Sequence, residues 1–147
     1  MSVAADGSWL EDLRQLAWEW YHDAPEPSRS VHLWRYTDPA IFRIPEQIID
    51  ATPRPGLIAP EGPIPTGIEV LDLVEAAMSR PELVRDRLGA AVRPVAGKLE
   101  ALNFARFQHG LVVHAPAGVV AATRLTLVSK LGGPRFNASR ILVIADE

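Results

Sequence analysis

The chain has 147 residues, 48% hydrophobic and 22% charged, a balance that suits one domain or a small domain with an appendage and excludes wholesale disorder. Its net charge is -3, from 15 basic and 18 acidic residues with no lysine or arginine run, so nothing marks a sequence-independent nucleic-acid surface. Cysteine is absent, which excludes disulfides, thiolate metal sites and a cysteine nucleophile within this sequence and fits a cytosolic protein.

Residues 1–7 carry Asp6 and no basic residue, so they do not read as a signal peptide, and no apolar run is long enough to cross a bilayer. A soluble, cytoplasmic protein is expected. Ser8 to Tyr21 reads as a helix: Ser8 and Glu11 have capping-box spacing, and Leu10, Leu13, Ala17 and Trp20 recur on one face, flanked by Trp9 and Leu16. The tryptophans of this stretch are expected to pack against the rest of the fold. Pro25 and Pro27 mark a connector, and five prolines between Asp50 and Pro65 exclude regular helix there, leaving an extended linker with a short strand at 56–59.

Gly67 to Leu73 alternates as a short strand that leads into a helix at Val74–Met78. Ser79 and Glu82 predict a second capped helix running to about Ala91. Lys98 to Phe107 predicts a third, ended by His109-Gly110, glycine being the residue that tolerates a left-handed conformation past a helix end. From Leu111 the pattern changes. Leu111–His114, Val119–Ala122, Leu125–Val128 and Ile141–Ile144 are short branched runs, punctuated by Pro116-Ala117-Gly118 and Gly132-Gly133-Pro134.

Searches for chemistry return little. His109 and His114 are five apart across a helix end and a strand, which is not a zinc spacing. His32 sits beside Trp34 and reads as structural, and His114 as a packed or solvated side chain. Gly132-Gly133-Pro134 lacks the lysine and hydroxyl residue of a phosphate loop, and no Gly-x-Ser-x-Gly elbow occurs. Glu11-Asp12 and Asp146-Glu147 are read as solvent-facing pairs, and Arg124 and Arg140 as solvated strand charges. No catalytic, cofactor-binding or metal residue is expected, and the chain does not read as an enzyme.

Two segments carry a family resemblance. Ala101-Leu102-Asn103-Phe104-Ala105, Gly110-Leu111-Val112-Val113, Pro116-Ala117-Gly118-Val119, Leu125-Thr126-Leu127 and Arg140 to Ala145 together resemble the entry into the β-helix core of SufB/SufD proteins. Upstream, Trp34-Arg35-Tyr36-Thr37, preceded by Arg29, resembles an element of the SufD-type N-terminal region, although His32 and Leu33 stand where the family often has a glutamate. The resemblance implies an α+β chain: a helical N-terminal half followed by the first coils of a right-handed β-helix, an incomplete solenoid. The expected division is an N-terminal helical region at 1–49, a proline-rich linker at 50–66, a strand-helix-helix segment at 67–109 and the first coils at 110–147.

It also implies a SufD-like, non-catalytic component of the SUF iron–sulfur cluster assembly system, acting by contacts with SufB-like and SufC-like proteins. The iron–sulfur cluster belongs to the family complex and not to this chain. Pro116, Gly118 and Asn103 are expected to shape the fold, with Asn103 bonding locally at a helix-to-strand junction. The alternative is a β-solenoid interaction module unrelated to cluster assembly. No nucleic acid or membrane is expected as a partner. The open edge at Ile141–Ile144 is expected to self-associate or to leave an isolated product poorly stable.

Overall fold

The computed structural model describes residues 8–30, 34–45, 49, 57–130 and 137–147. Helix α1 spans Ser8–Asp23. Its Leu10 and Ala17 are buried and Leu13 is partly so, as the stripe predicts, but Trp20 and Leu16 are 40% and 51% exposed. A 3₁₀ turn at Pro39–Phe42 follows, started by proline at its first position and capped by the Asp38 carboxylate, which accepts from the Ala40 amide at 3.0 Å.

Strand β1 is Leu57–Glu61 and β2 is Glu69–Asp72. Asp72 caps α2 (Leu73–Ser79) by accepting from the Glu75 amide at 2.9 Å. The next helix is much shorter than its pattern suggests: α3 covers only Pro81–Val84. Its cap position is Arg80, and the Ser79 hydroxyl instead donates back to the Glu75 carbonyl within α2. Turns continue to Gly89, whose φ of +90° leaves the helical region and seats the backbone against Pro94 and Phe104.

Helix α4 (Lys98–Arg106) lies along α1. Cations bridge the two helices over aromatic rings: Arg106 sits 4.1 Å from the Trp18 centroid and Lys98 5.0 Å from that of Tyr21. Arg14 donates to the Phe107 carbonyl at 2.9 Å and lies over its ring. Strands β3 (His109–Ala115), β4 (Thr126–Lys130) and β5 (Ser139–Ala145) complete the fold.

These strands make two small sheets. β1 and β4 form an antiparallel ribbon, Ala59 opposite Val128. The other sheet has the order β2-β3-β5, with β2 antiparallel and β5 parallel to β3. Phe104, Phe107, Leu73, Val84, Val112 and Ile144 form the centre of a core between the helices and one face of this sheet.

The expected β-helix is not present among the described residues. A solenoid needs parallel strands stacked coil on coil. Here β4 pairs antiparallel with β1, and only the β3–β5 pair is parallel. The expected helical N-terminal half is also not shown: the elements bounded between α1 and β2 are the 3₁₀ turn and β1. The protein is a small α+β fold. The run Val119–Ala122 forms no strand. It leaves the Pro116–Val119 turn, in which Val119 donates to the Pro116 carbonyl at 3.0 Å, and Val120 is 87% exposed with no neighbouring strand to pair with. His32, Leu33, the linker residues 50–56 and Gly132-Gly133-Pro134 lie outside the described residues.

Candidate functional site

The residues of the family resemblance separate into surface and scaffold. Trp34 rests on Phe42, ring centroids 5.5 Å apart, and Thr37 donates to the Trp34 carbonyl, while Tyr36 is 90% exposed. Asn103 does not bond locally through its side chain. Its Nδ2 donates to the Ser139 carbonyl at 3.3 Å and its Oδ1 accepts from Arg140 Nη1 at 2.8 Å, tying α4 to the start of β5. Arg140 is therefore not a solvated charge: it lies 3.6 Å from the Phe104 centroid, and burial pushes its guanidinium down to about 10. Arg124 is exposed, as expected.

Gly110 does not end α4. Phe107, in an extended conformation, caps that helix, and Gly110 is a buried β3 residue. A Cβ on it would stand 2.1 Å from the Arg140 carbonyl oxygen, so only glycine lets β5 approach this closely.

Alternation along β3 then places Val112 and His114 on the same inner face as Gly110. The parallel register matches His114 to Ile144, and two residues further on β5 gives way to Asp146, on the same face. From the other side, β2 matches Glu69 to His114. Three residues remote in sequence therefore meet. His114 is 6% exposed, with Nδ1 2.8 Å from Glu69 Oε2 and Nε2 2.9 Å from Asp146 Oδ2.

Arginines back both carboxylates: Arg80, between α2 and α3, shares Glu69 Oε2 with the ring and lies 3.2 Å from it, and Arg87, beyond α3, takes the other oxygen of Asp146, Oδ1, at 3.1 Å. Glu82 stands 3.9 Å from Arg80. The Asp146 amide also donates to the Ala115 carbonyl, extending the β3–β5 ladder past the strand end. The reading of Asp146 as merely solvent-facing is corrected by these contacts.

The electrostatics follow from the bonds. Hydrogen bonds to Asp146 and then Glu69 raise the His114 pKa against the opposing effect of burial. Glu69 is lowered by its bonds to His114 and Arg80, and Asp146 by its bond to His114 and by the charge of Arg87.

Chemically the cluster is saturated. Both ring nitrogens are engaged by carboxylate oxygens. The carboxylates approach opposite edges of the ring and do not converge on a common point, and among the described residues no group of three or more His, Cys, Asp or Glu is arranged to hold a metal. A separate cleft of about 290 Å³ has Tyr21, Phe42, Arg43, Lys98 and Leu102 among its walls. Its half-buried lysine is already engaged: Lys98 donates to the Ala24 carbonyl at 3.2 Å and pairs with Glu26 at 3.1 Å.

Sequence reasoning placed His114 on a strand but missed its partners. The available signal was period-two alternation, Gly110-Val112-His114 against Arg140-Leu142-Ile144-Asp146, and it becomes usable only once the parallel register is known. No protein-family model matches the chain, and no curated protein matches it. No helix among the described residues is long and apolar enough to cross a membrane.

Proposed function

We propose that the chain works through protein–protein contacts as a SufD-like, non-catalytic component of SUF iron–sulfur cluster assembly in the cytoplasm, with SufB-like and SufC-like proteins as partners and the cluster as the cargo of the whole complex. Two things support this reading: the ordered motifs from Trp34-Arg35-Tyr36-Thr37 to Pro116-Ala117-Gly118-Val119, and the state of β5.

The observation that carries the reading is the outer face of that strand. Among the described residues β5 pairs only with β3, and Ile141 and Val143 are 47% and 69% exposed. Edge strands that stay alone usually carry charges, proline or a bulge. The outward positions of β5 are Ser139, Ile141, Val143 and Ala145, none of them charged. Such an edge suits addition of a partner's strand.

Sedimentation of the chain with a SufB-like protein at micromolar concentration tests the proposal. A complex that Val143→Lys disrupts is expected, and no association with either SUF partner overturns it. A small interaction module outside cluster assembly is the second reading, favoured by the two-sheet fold in place of stacked coils. Self-association through β5 without any affinity for SUF proteins would select it.

A further inference from the structure

We propose that the Glu69–His114–Asp146 cluster is a pH-operated latch that fastens the end of β5 to β2 and β3 while the His114 imidazole is doubly protonated, and loosens it when one ring proton is lost. The proposal stands on the geometry of the fold and does not depend on the functional reading above.

The bonding pattern requires both protons. Each ring nitrogen lies within 2.9 Å of a carboxylate oxygen, and a carboxylate only accepts. A neutral imidazole has one N–H and one lone pair. In this setting its lone pair would face an oxygen of Glu69 or Asp146 at hydrogen-bond distance, turning one of the two bonds into a repulsion. His114 itself is 6% exposed, so water can relieve that repulsion only from the carboxylate side, where the Glu69 and Asp146 side chains are 42% and 35% exposed. Glu69, by contrast, keeps Arg80, and Asp146 keeps Arg87.

The bond to Asp146 is the one on which the strand end depends. Asp146 follows β5, and its other ties are Arg87 and the Ala115 carbonyl.

The charged groups around the ring come from each neighbouring element: Glu69 from β2, Asp146 from the exit of β5, Arg80 from the junction of α2 and α3, and Arg87 from the turn after α3. The titratable residues of the other neighbours, Glu75 on α2 and Glu61 on β1, make no ion pair with the cluster among the described residues.

The signs define the working range. The His114 pKa is raised in the fold, so its contribution is complete below its ordinary value of 6.5 and is lost as pH rises through the folded value. Glu69 and Asp146 are lowered, so their contributions are complete above their ordinary values of 4.5 and 3.8 and are lost as pH falls through the folded ones. The latch is tightest between 4.5 and 6.5 and opens on the alkaline side by one proton.

Amide hydrogen exchange on the full chain tests this, with rates corrected for the intrinsic pH dependence of exchange and the β1–β4 ribbon as internal reference. Above the folded His114 pKa, β5 protection is expected to fall relative to the ribbon by up to about tenfold per pH unit, the limit for loss of one proton. His114→Gln is expected to abolish this limb, and His109→Gln, which alters the other β3 histidine, to retain it. Should His114→Gln fail to fold, Asp146→Asn removes one acceptor and is expected to move the limb to lower pH. A β5 profile that is flat in the wild-type chain, or unchanged in both His114→Gln and Asp146→Asn, would overturn the latch.

Discussion

The three-stranded sheet has two faces built from alternate residues of the same strands, and they differ in kind. Its inner face runs from Gly110 through Val112 to His114 and packs against Leu142 and Ile144 of β5, with Asp146, just past the strand, bonded to His114 at the solvent-facing end. Its outer face is uneven: β1 lies against β3 and Leu111 is buried, but Ile141 and Val143 on β5 stand open. One strand therefore takes part in both a locked interior and an uncovered exterior. Stability is carried on the inside, and the proposed partner contact falls on the outside, so substitutions on the two faces are expected to separate these properties.

The sharpest way to break the inner face is Phe104→Ala. Phe104 is fully buried and supports both Phe107 and the Arg140 guanidinium. A loss of about 3–5 kcal/mol is expected in denaturant unfolding. Gly110→Ala follows, at about 1–3 kcal/mol, because its Cβ would press on the Arg140 carbonyl and force β5 from β3. Near-UV circular dichroism and β5 amide exchange would register the separation. A Gly110→Ala chain as stable as the wild type would refute the close approach.

His114→Gln comes third, at about 1–2 kcal/mol when measured near pH 6, since a buried side chain loses hydrogen bonds that glutamine cannot match on both sides. The difference from wild type is expected to shrink as pH rises, following the loss of the imidazolium. The outer face gives the smallest effect on stability: Val143→Lys is expected to stay within about 0.5 kcal/mol of wild type while abolishing association through β5. A large stability loss there would show that the outer face is already covered.

Local patterns were readable in the sequence wherever one element decides its own shape. The α1 stripe at Leu10 and Ala17, the glycine–proline turn at Pro116–Val119 and the strand at Ile141–Ile144 all follow from nearest neighbours in the chain. What failed depended on residues far away. The helix expected to reach Ala91 stops at Val84 and gives way to turns, and by Gly89 the chain has bent against Pro94 and Phe104. Gly110 looked like a helix terminator and is instead the contact point of two strands.

The branched runs after Leu111 suggested successive coils, but β3 and β4 also pair with β2 and β1, which lie before α2 in the chain. Nothing in the spacing of short strands says which earlier strand will claim them. The site was unreadable for the same reason. Glu69 is 45 residues from His114 and Asp146 is 32, and only the register unites them.

Whether His114 is an imidazolium held by two carboxylates can be read from the ¹⁵N chemical shifts of its ring nitrogens, followed against pH in the full chain. Both nitrogens of His114 are expected to stay protonated past the ordinary value of 6.5, and Asp146→Asn to lower the transition. A His114 that titrates at or below that value, or that keeps one unprotonated nitrogen near pH 6, would contradict the imidazolium assignment.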